Sequence, residues 1–415
     1  MWIVDLRTFA RGQSCHDRIR VPALHVSILA FLVLALSEHG VSATPKRGRD
    51  PVMSVGRLRP CDRALCREDG TRFRWRGVTA FALLDLMADG KEGDARAFLQ
   101  WARDQRFTIV RVLAMNPKGW FDLAATDGRQ ALPALLRLAR DHRLYVQIVA
   151  LANTAGRSES ELTEQVREVG RICAAADNCL LEIANEPYHS SQAKLQNAAR
   201  MRTFQEQIPK GVITAWGAAS DYTSDAMAGG TYIVAHVARS GERWARVARV
   251  RDLADLSKRT GKFVVDNEPI GAAEKVERSR RDTLPAVFFA QGVLSRLFEV
   301  GSTFHCSDCL EAKVPGPTQR ACAGAFVAGA TVVPDAVVLS EVDDRTPDAT
   351  TLGAELQALG PRAFAAVAAN RGWLALVGDG SDRDVVWKGP WKIEKRIARW
   401  PGVSVWSFRL HRDLD

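Results

Sequence analysis

The sequence predicts an α/β chain built on a (β/α)8 TIM barrel, with a small β-rich appendage towards its C-terminal end. Three observations carry this expectation. Short runs rich in β-branched and apolar residues recur between Phe73 and His305, stretches with helical apolar spacing separate most of them, and beyond about residue 330 the pattern changes to alternating strands joined by tight turns. Strands that alternate with helices form parallel βαβ units with right-handed crossovers, and eight such strands close on themselves.

The first run spans Phe73–Phe81 and contains Trp75-Arg76-Gly77-Val78. The others are Thr108–Leu113, Tyr145–Ala150, Leu180–Ala184, Val212–Trp216, Thr231–His236, Phe263–Asp266 and Gly301–His305. Asp94–Arg106 carries Ala97, Phe98, Trp101 and Ala102 at helical spacing, and Leu132–Arg143 does the same with Leu132, Leu135, Leu136 and Ala139. Ser158–Ala176, Ser191–Ile208, Trp244–Thr260 and Asp282–Glu299 repeat the pattern. An open doubly wound sheet is the alternative, but no Gly-x-Gly-x-x-Gly turn follows the first strand. The barrel is therefore expected over residues 52–335. In the region 361–415 the strand candidates are Trp373–Val377, Val385–Trp387 and Val403–Phe408, with the turn Gly378-Asp379-Gly380 after the first. Core packing is the expected use of its tryptophans.

Apolar residues at 47% and charged residues at 25% mark a globular chain rather than a disordered one. The net charge of +9 comes from arginine scattered along the chain. No compact basic run is interleaved with aromatics, so nucleic acid is not an expected partner. At the N-terminus, Arg18 and Arg20 precede an apolar stretch from Val21 to Leu36, followed by Val41-Ser42-Ala43. A charged start, a short apolar centre and a small-residue end read as a secretory signal over residues 1–43. The apolar stretch falls short of the roughly 20 residues that span a bilayer, so no stable membrane insertion is expected after cleavage. The location expected is secreted or periplasmic, as a monomer.

The cysteines agree with export. Cys61 and Cys66, and Cys173 and Cys179, are close pairs that read as small disulfide loops. Cys306, Cys309 and Cys322 form a third group. Cys306-x-x-Cys309 could be half a zinc site, but no second half with matching spacing follows, so no metal and no cofactor are expected.

Two strand ends carry the candidate chemistry. The fourth run leads into Asn185-Glu186-Pro187 and the seventh into Asn267-Glu268-Pro269. In a barrel, the C-terminal ends of strands build the active-site face. Strands four and seven lie across the mouth from each other, so Glu186 and Glu268 can face one another over a cleft. Glycoside hydrolysis uses such a pair, one carboxyl group to protonate the leaving oxygen and the other to attack or to activate water. Side-chain alternation is expected to turn Asp266 and Asn267 away from that cleft.

Asn-Glu-Pro after a strand, with a second glutamate at strand seven, resembles the clan A glycoside hydrolases, retaining (β/α)8 enzymes that include the cellulase- and mannanase-like family 5. The resemblance covers about residues 68–310. It implies Glu186 as acid/base and Glu268 as nucleophile, with Asn185 hydrogen-bonding the sugar 2-hydroxyl. Arg111 matches the clan's arginine near the nucleophile, and His236 a frequent active-site histidine. His305 stands with Phe304 where the clan commonly has a tryptophan platform, and is a further candidate for substrate contact. Ala238 stands where the clan usually has a tyrosine bonded to the nucleophile. The resemblance implies a carbohydrate substrate with β-linked sugars. The alternative is a non-catalytic carbohydrate-binding barrel, against which retention of both glutamates argues. A metal-dependent barrel hydrolase would need a His-x-His pair at strand one, which this chain lacks.

Overall fold

The β-branched runs fold as eight parallel strands in the computed structural model. It describes residues 55–115, 126–192, 195–237, 242–270, 284–343, 345–387 and 389–411. Barrel strands one to eight are Arg76–Thr79, Ile109–Leu113, Tyr145–Leu151, Cys179–Ala184, Thr214–Ala215, Ile233–Ala235, Val264–Asp266 and Gly301–Phe304. They pair in the order five-four-three-two-one-eight-seven-six. At the remaining seam, the N–H groups of Thr231 and Tyr232 donate to the Thr214 carbonyl and join strand five to the start of strand six. Strands two, three and four are buried along their whole length, as parallel strands covered on both faces must be. The signal-sequence candidate and Ala238 lie outside the described residues.

Helix ends follow local chemistry. Ser158 caps Glu159–Ala174 in a reciprocal capping box with Glu161. The helix expected over Ser191–Ile208 is confined to Ala198–Glu206, because Asn197 accepts from the N–H groups of Ala199 and Arg200 and fixes the start there. Trp244–Thr260 divides at Arg249 into Arg243–Ala248 and Val250–Thr260, and the second stops at Gly261 in the left-handed conformation. Residues 216–232, between strands five and six, form turns and irregular chain without a helix.

The barrel interior is layered. Leu65, Phe73, Trp75, Tyr145, Tyr232 and Phe263 belong to one apolar cluster at the N-terminal end of the strands. Leu65 comes from the hairpin Arg59–Cys61/Ala64–Cys66, which plugs that end. Gly77 admits the next layer: a Cβ there would lie 2.4 Å from Thr303 Oγ1 and 2.8 Å from Trp75 Nε1, atoms that hydrogen-bond each other at 3.2 Å. Above this plug the interior turns polar, with Gln147, Glu182, Asn267 and Thr303 buried under the mouth.

The C-terminal region is an antiparallel five-stranded sheet. Its order is Ser340–Glu341, Ala363–Ala368, Arg371–Val377, Val403–Leu410, Trp391–Trp400. Val385–Trp387 is not a strand. Val385 and Trp387 turn into the sheet's own core while Val386 is 82% exposed. The strand that follows, Trp391–Trp400, hides in the sequence behind Lys392, Glu394, Lys395, Arg396 and Arg399 and is bent by two bulges. Trp373, Trp387, Trp391 and Trp406 are all buried, so they pack the core rather than line a surface. Trp400 stacks on Phe289 of the barrel helix Leu284–Leu297 at 5.2 Å.

Arginines latch the connecting segment to the barrel base. Arg74, Arg76 and Arg296 donate to the carbonyls or carboxylate of residues 333–337, and Arg74 and Arg296 both pair with Glu299. Burial pulls Arg296 down to about 10, with Glu299 opposing. Disulfides join Cys61 to Cys66, Cys173 to Cys179 and Cys306 to Cys309, and Cys322 is buried outside these bonds. The Cys306–Cys309 pair is thus a disulfide rather than half a zinc site. No helix of the described residues is long and apolar enough to cross a membrane. Glu299→Ala should leave two largely buried guanidinium groups without their carboxylate and cost about 3 kcal/mol of stability. Urea denaturation checks this, and a loss under about 1 kcal/mol would contradict the latch.

Candidate active site

Backbone hydrogen bonds continue the barrel ladder past the strand ends and fix the two tripeptides. Asn185 N–H donates to Leu151 O at 2.9 Å and Asn267 N–H to Ala235 O at 3.1 Å. Gly217, at φ +128°, lets the chain after strand five press against strand four, since a Cβ there would lie 2.1 Å from Ala184 O. Glu186, His236 and Glu268 meet at this end of the barrel. One ligand atom from each lies within 4.8 Å of the others.

Arg111, from strand two, stands beneath them and is 1% exposed. Its Nη1 donates to Glu268 Oε1 at 2.9 Å and its Nη2 to Asn185 Oδ1 at 2.6 Å. It also pairs at two points with Glu182, Nε to Oε2 and Nη2 to Oε1, each at 3.0 Å. Burial weighs against this cation, but Glu182 and Glu268 outweigh it and keep the guanidinium charged.

Glu186 accepts from Tyr188 Oη at 3.1 Å and from His236 Nδ1 at 3.2 Å. A carboxylate accepts, so His236 carries a proton on Nδ1. Its Nε2 is buried, 4.0 Å from Glu268 Oε1, and has no hydrogen-bond partner among the described residues. Burial alone would raise Glu186. The hydrogen bond and charge of His236, with Tyr188 adding to them, outweigh burial and hold its carboxyl below the usual range, while the Glu268 charge acts the other way. The two donors on Glu186 therefore reverse the effect of its burial.

His305, after strand eight, lies on the strand-one side of the mouth. Its Nδ1 is 3.0 Å from Thr79 Oγ1 and its ring packs edge-on to Phe81, which covers the Arg111 guanidinium at 5.4 Å. The geometry thus gathers Glu186, Glu268, Asn185, Arg111 and His236, and sets His305 beside them. Asn267 does not turn away. Its amide points inward, donating to Glu182 Oε2 at 3.1 Å and accepting from Thr303 Oγ1 at 3.2 Å. Glu182, Gln147 and Tyr188 were not anticipated. A charged or amide side chain inside an apolar strand, as in Leu181-Glu182-Ile183 and Val146-Gln147-Ile148, is the signal that marks the first two.

Glu186, His236 and Glu268 have the spacing of a metal-ligand group. The chemistry fits a cation poorly, because Arg111 already occupies Glu268 Oε1 with a positive charge and two donors occupy Glu186 Oε1.

Comparison with solved structures matches the fold. One glycoside hydrolase superposes with a TM-score of 0.59 at 12% identity, over 87% of this chain and 98% of that one. That share of this chain is more than residues 1–335 make up, so the match extends into the C-terminal sheet. A glycoside hydrolase family 5 structure from Bacteroides vulgatus gives 0.55 at 13% identity, over 86% and 94%. A family 5 mannosidase from Rhizomucor miehei gives 0.50 at 10% identity, over 68% and 100%. No protein-family model matches the sequence, and no curated protein matches it.

The donors on Glu186 yield a prediction independent of any substrate. Its carboxyl, followed by carbon NMR, should titrate below an exposed glutamate, and His236→Ala should move it upward. No upward movement would show that His236 does not set its charge. On these superpositions the chain carries the fold of the family 5 glycoside hydrolases.

Proposed function

We propose that this chain is a retaining glycoside hydrolase acting on β-linked glycosides or polysaccharides, with Glu268 as nucleophile and Glu186 as acid/base. The observation that carries this reading is the approach of the two carboxylates, an oxygen of each within 4.8 Å. Retaining enzymes keep their carboxyl groups about 5–5.5 Å apart, whereas inverting ones need about 6.5–9.5 Å to admit a water. Two neighbours of similar fold are described as family 5 enzymes, which supports the same chemistry. The three disulfides suit an oxidising compartment, so export through the N-terminal signal belongs to this proposal.

In the first step Glu268 attacks the anomeric carbon and Glu186 gives its proton to the leaving oxygen. The Glu268 charge raises Glu186 and helps it hold that proton. Esterification of Glu268 removes this charge. Glu186 then falls further and can take a proton from the attacking water. Arg111, on Glu268 Oε1, orients the nucleophile and receives its charge back when the ester is hydrolysed.

Mutants separate the two roles. Glu268→Ala should abolish turnover, and azide should restore it by attack from the vacated side. Glu186→Ala should spare aryl glycosides with activated leaving groups and cripple those with poor ones. Because Glu186 must start protonated and its pKa is low, kcat/KM should fall as pH rises through the acid range. An activity that climbs towards neutral pH would contradict the assignment. Chelation with EDTA should leave turnover unchanged, and loss on chelation with recovery on added zinc would favour a metal mechanism.

A further inference from the structure

Resting on the two-glutamate reading, we infer that Glu182 is the positioning residue of this site, setting the aim of Arg111 and through it of both Glu268 and Asn185. A guanidinium is a rigid planar fork with five N–H groups. Glu182 takes one edge of that fork, with Nε and Nη2 each 3.0 Å from one of its oxygens. Two contacts on one edge fix the plane, and with it the direction of the remaining N–H groups. The second Nη2 hydrogen then meets Asn185 Oδ1 and Nη1 meets Glu268 Oε1. Since Arg111 takes its amide oxygen, Asn185 offers Nδ2 as its donor to a substrate hydroxyl.

Glu182 is itself immobilised from two further strands. Gln147 Nε2 and Asn267 Nδ2 donate to its Oε2 at 3.0 and 3.1 Å, and Gln147 also donates to Tyr232 Oη at 2.9 Å. Among the described residues, the hydrogen bonds to Glu182 come from Arg111, Gln147 and Asn267, all as donors, which suits a carboxylate. The residue is fully buried below the mouth, so it acts on substrate only through Arg111.

The test uses the full chain and the most active of a panel of 2,4-dinitrophenyl β-glycosides, with sites counted by a 2-deoxy-2-fluoro glycoside. Glu182→Gln should lower kcat per titrated site about 100-fold, the scale of a misaimed catalytic group, with KM little changed. In an Arg111→Ala background the same substitution should cause no further loss, because its effect passes through Arg111. A 2-deoxy substrate, lacking the hydroxyl that Asn185 would hold, should lose less than its parent. Should Glu182→Gln not fold, Glu182→Asp carries the test in the same direction, since the shorter side chain cannot hold both edges of the fork. Wild-type kcat per site with only a lower Tm, or full additivity with Arg111→Ala, would overturn the proposal. Glu268→Ala at full activity would overturn the two-glutamate reading itself. Glu268→Ala inactive beside Glu182→Gln at wild-type kcat would overturn the role of Glu182 alone.

Discussion

The buried Arg111 guanidinium is the group around which the barrel interior is arranged. A cation this deep costs several kcal/mol to desolvate, and only paired carboxylates in good geometry offset that. Glu182 from strand four and Glu268 after strand seven supply them, and Asn185 takes a further N–H. Strands two, four and seven must therefore keep their register, since a slip of one residue would turn each of these side chains to the other face. Gln147, Asn267, Thr303 and Trp75 continue the hydrogen bonding across strands three, seven and eight to the aromatic plug. The scaffold and the candidate chemistry are thus one network.

The same network makes the two mouth glutamates unequal. Glu268 is buried against a fixed cation, while Glu186 is more open and answers to His236 and Tyr188. Under the proposed mechanism this asymmetry is what a double displacement needs. One group is held aimed as the attacking carboxylate, and the other changes protonation as the charge on its partner is lost in the ester and regained on hydrolysis.

Much of this was legible in the sequence, for identifiable reasons. The strands showed because parallel strands covered on both faces are continuous apolar runs, and the two Asn-Glu-Pro sites showed because each ends such a run. Disulfide pairs at short spacing were equally readable. What stayed hidden depends on contacts between distant segments. Glu182 and Gln147 look like interruptions of a strand until the barrel closes and brings Arg111 and Asn267 to them. The strand Trp391–Trp400 carries too many charges to read as sheet, because its outer face meets solvent at an edge. The charge state of Glu186 could not be read either, since it is set by a histidine fifty positions away.

The central claim is that Glu268 attacks the sugar directly, because an oxygen of Glu186 lies within 4.8 Å of one of its own, nearer the spacing of retaining enzymes than the wider one that seats a water beside the sugar. The stereochemistry of the first-formed product tests this most directly. Proton NMR of an aryl β-glycoside during the first turnovers, before mutarotation, should show the β-anomer of the released sugar. An α-anomer as first product would mean direct displacement by water and would contradict the assignment of Glu268 as nucleophile.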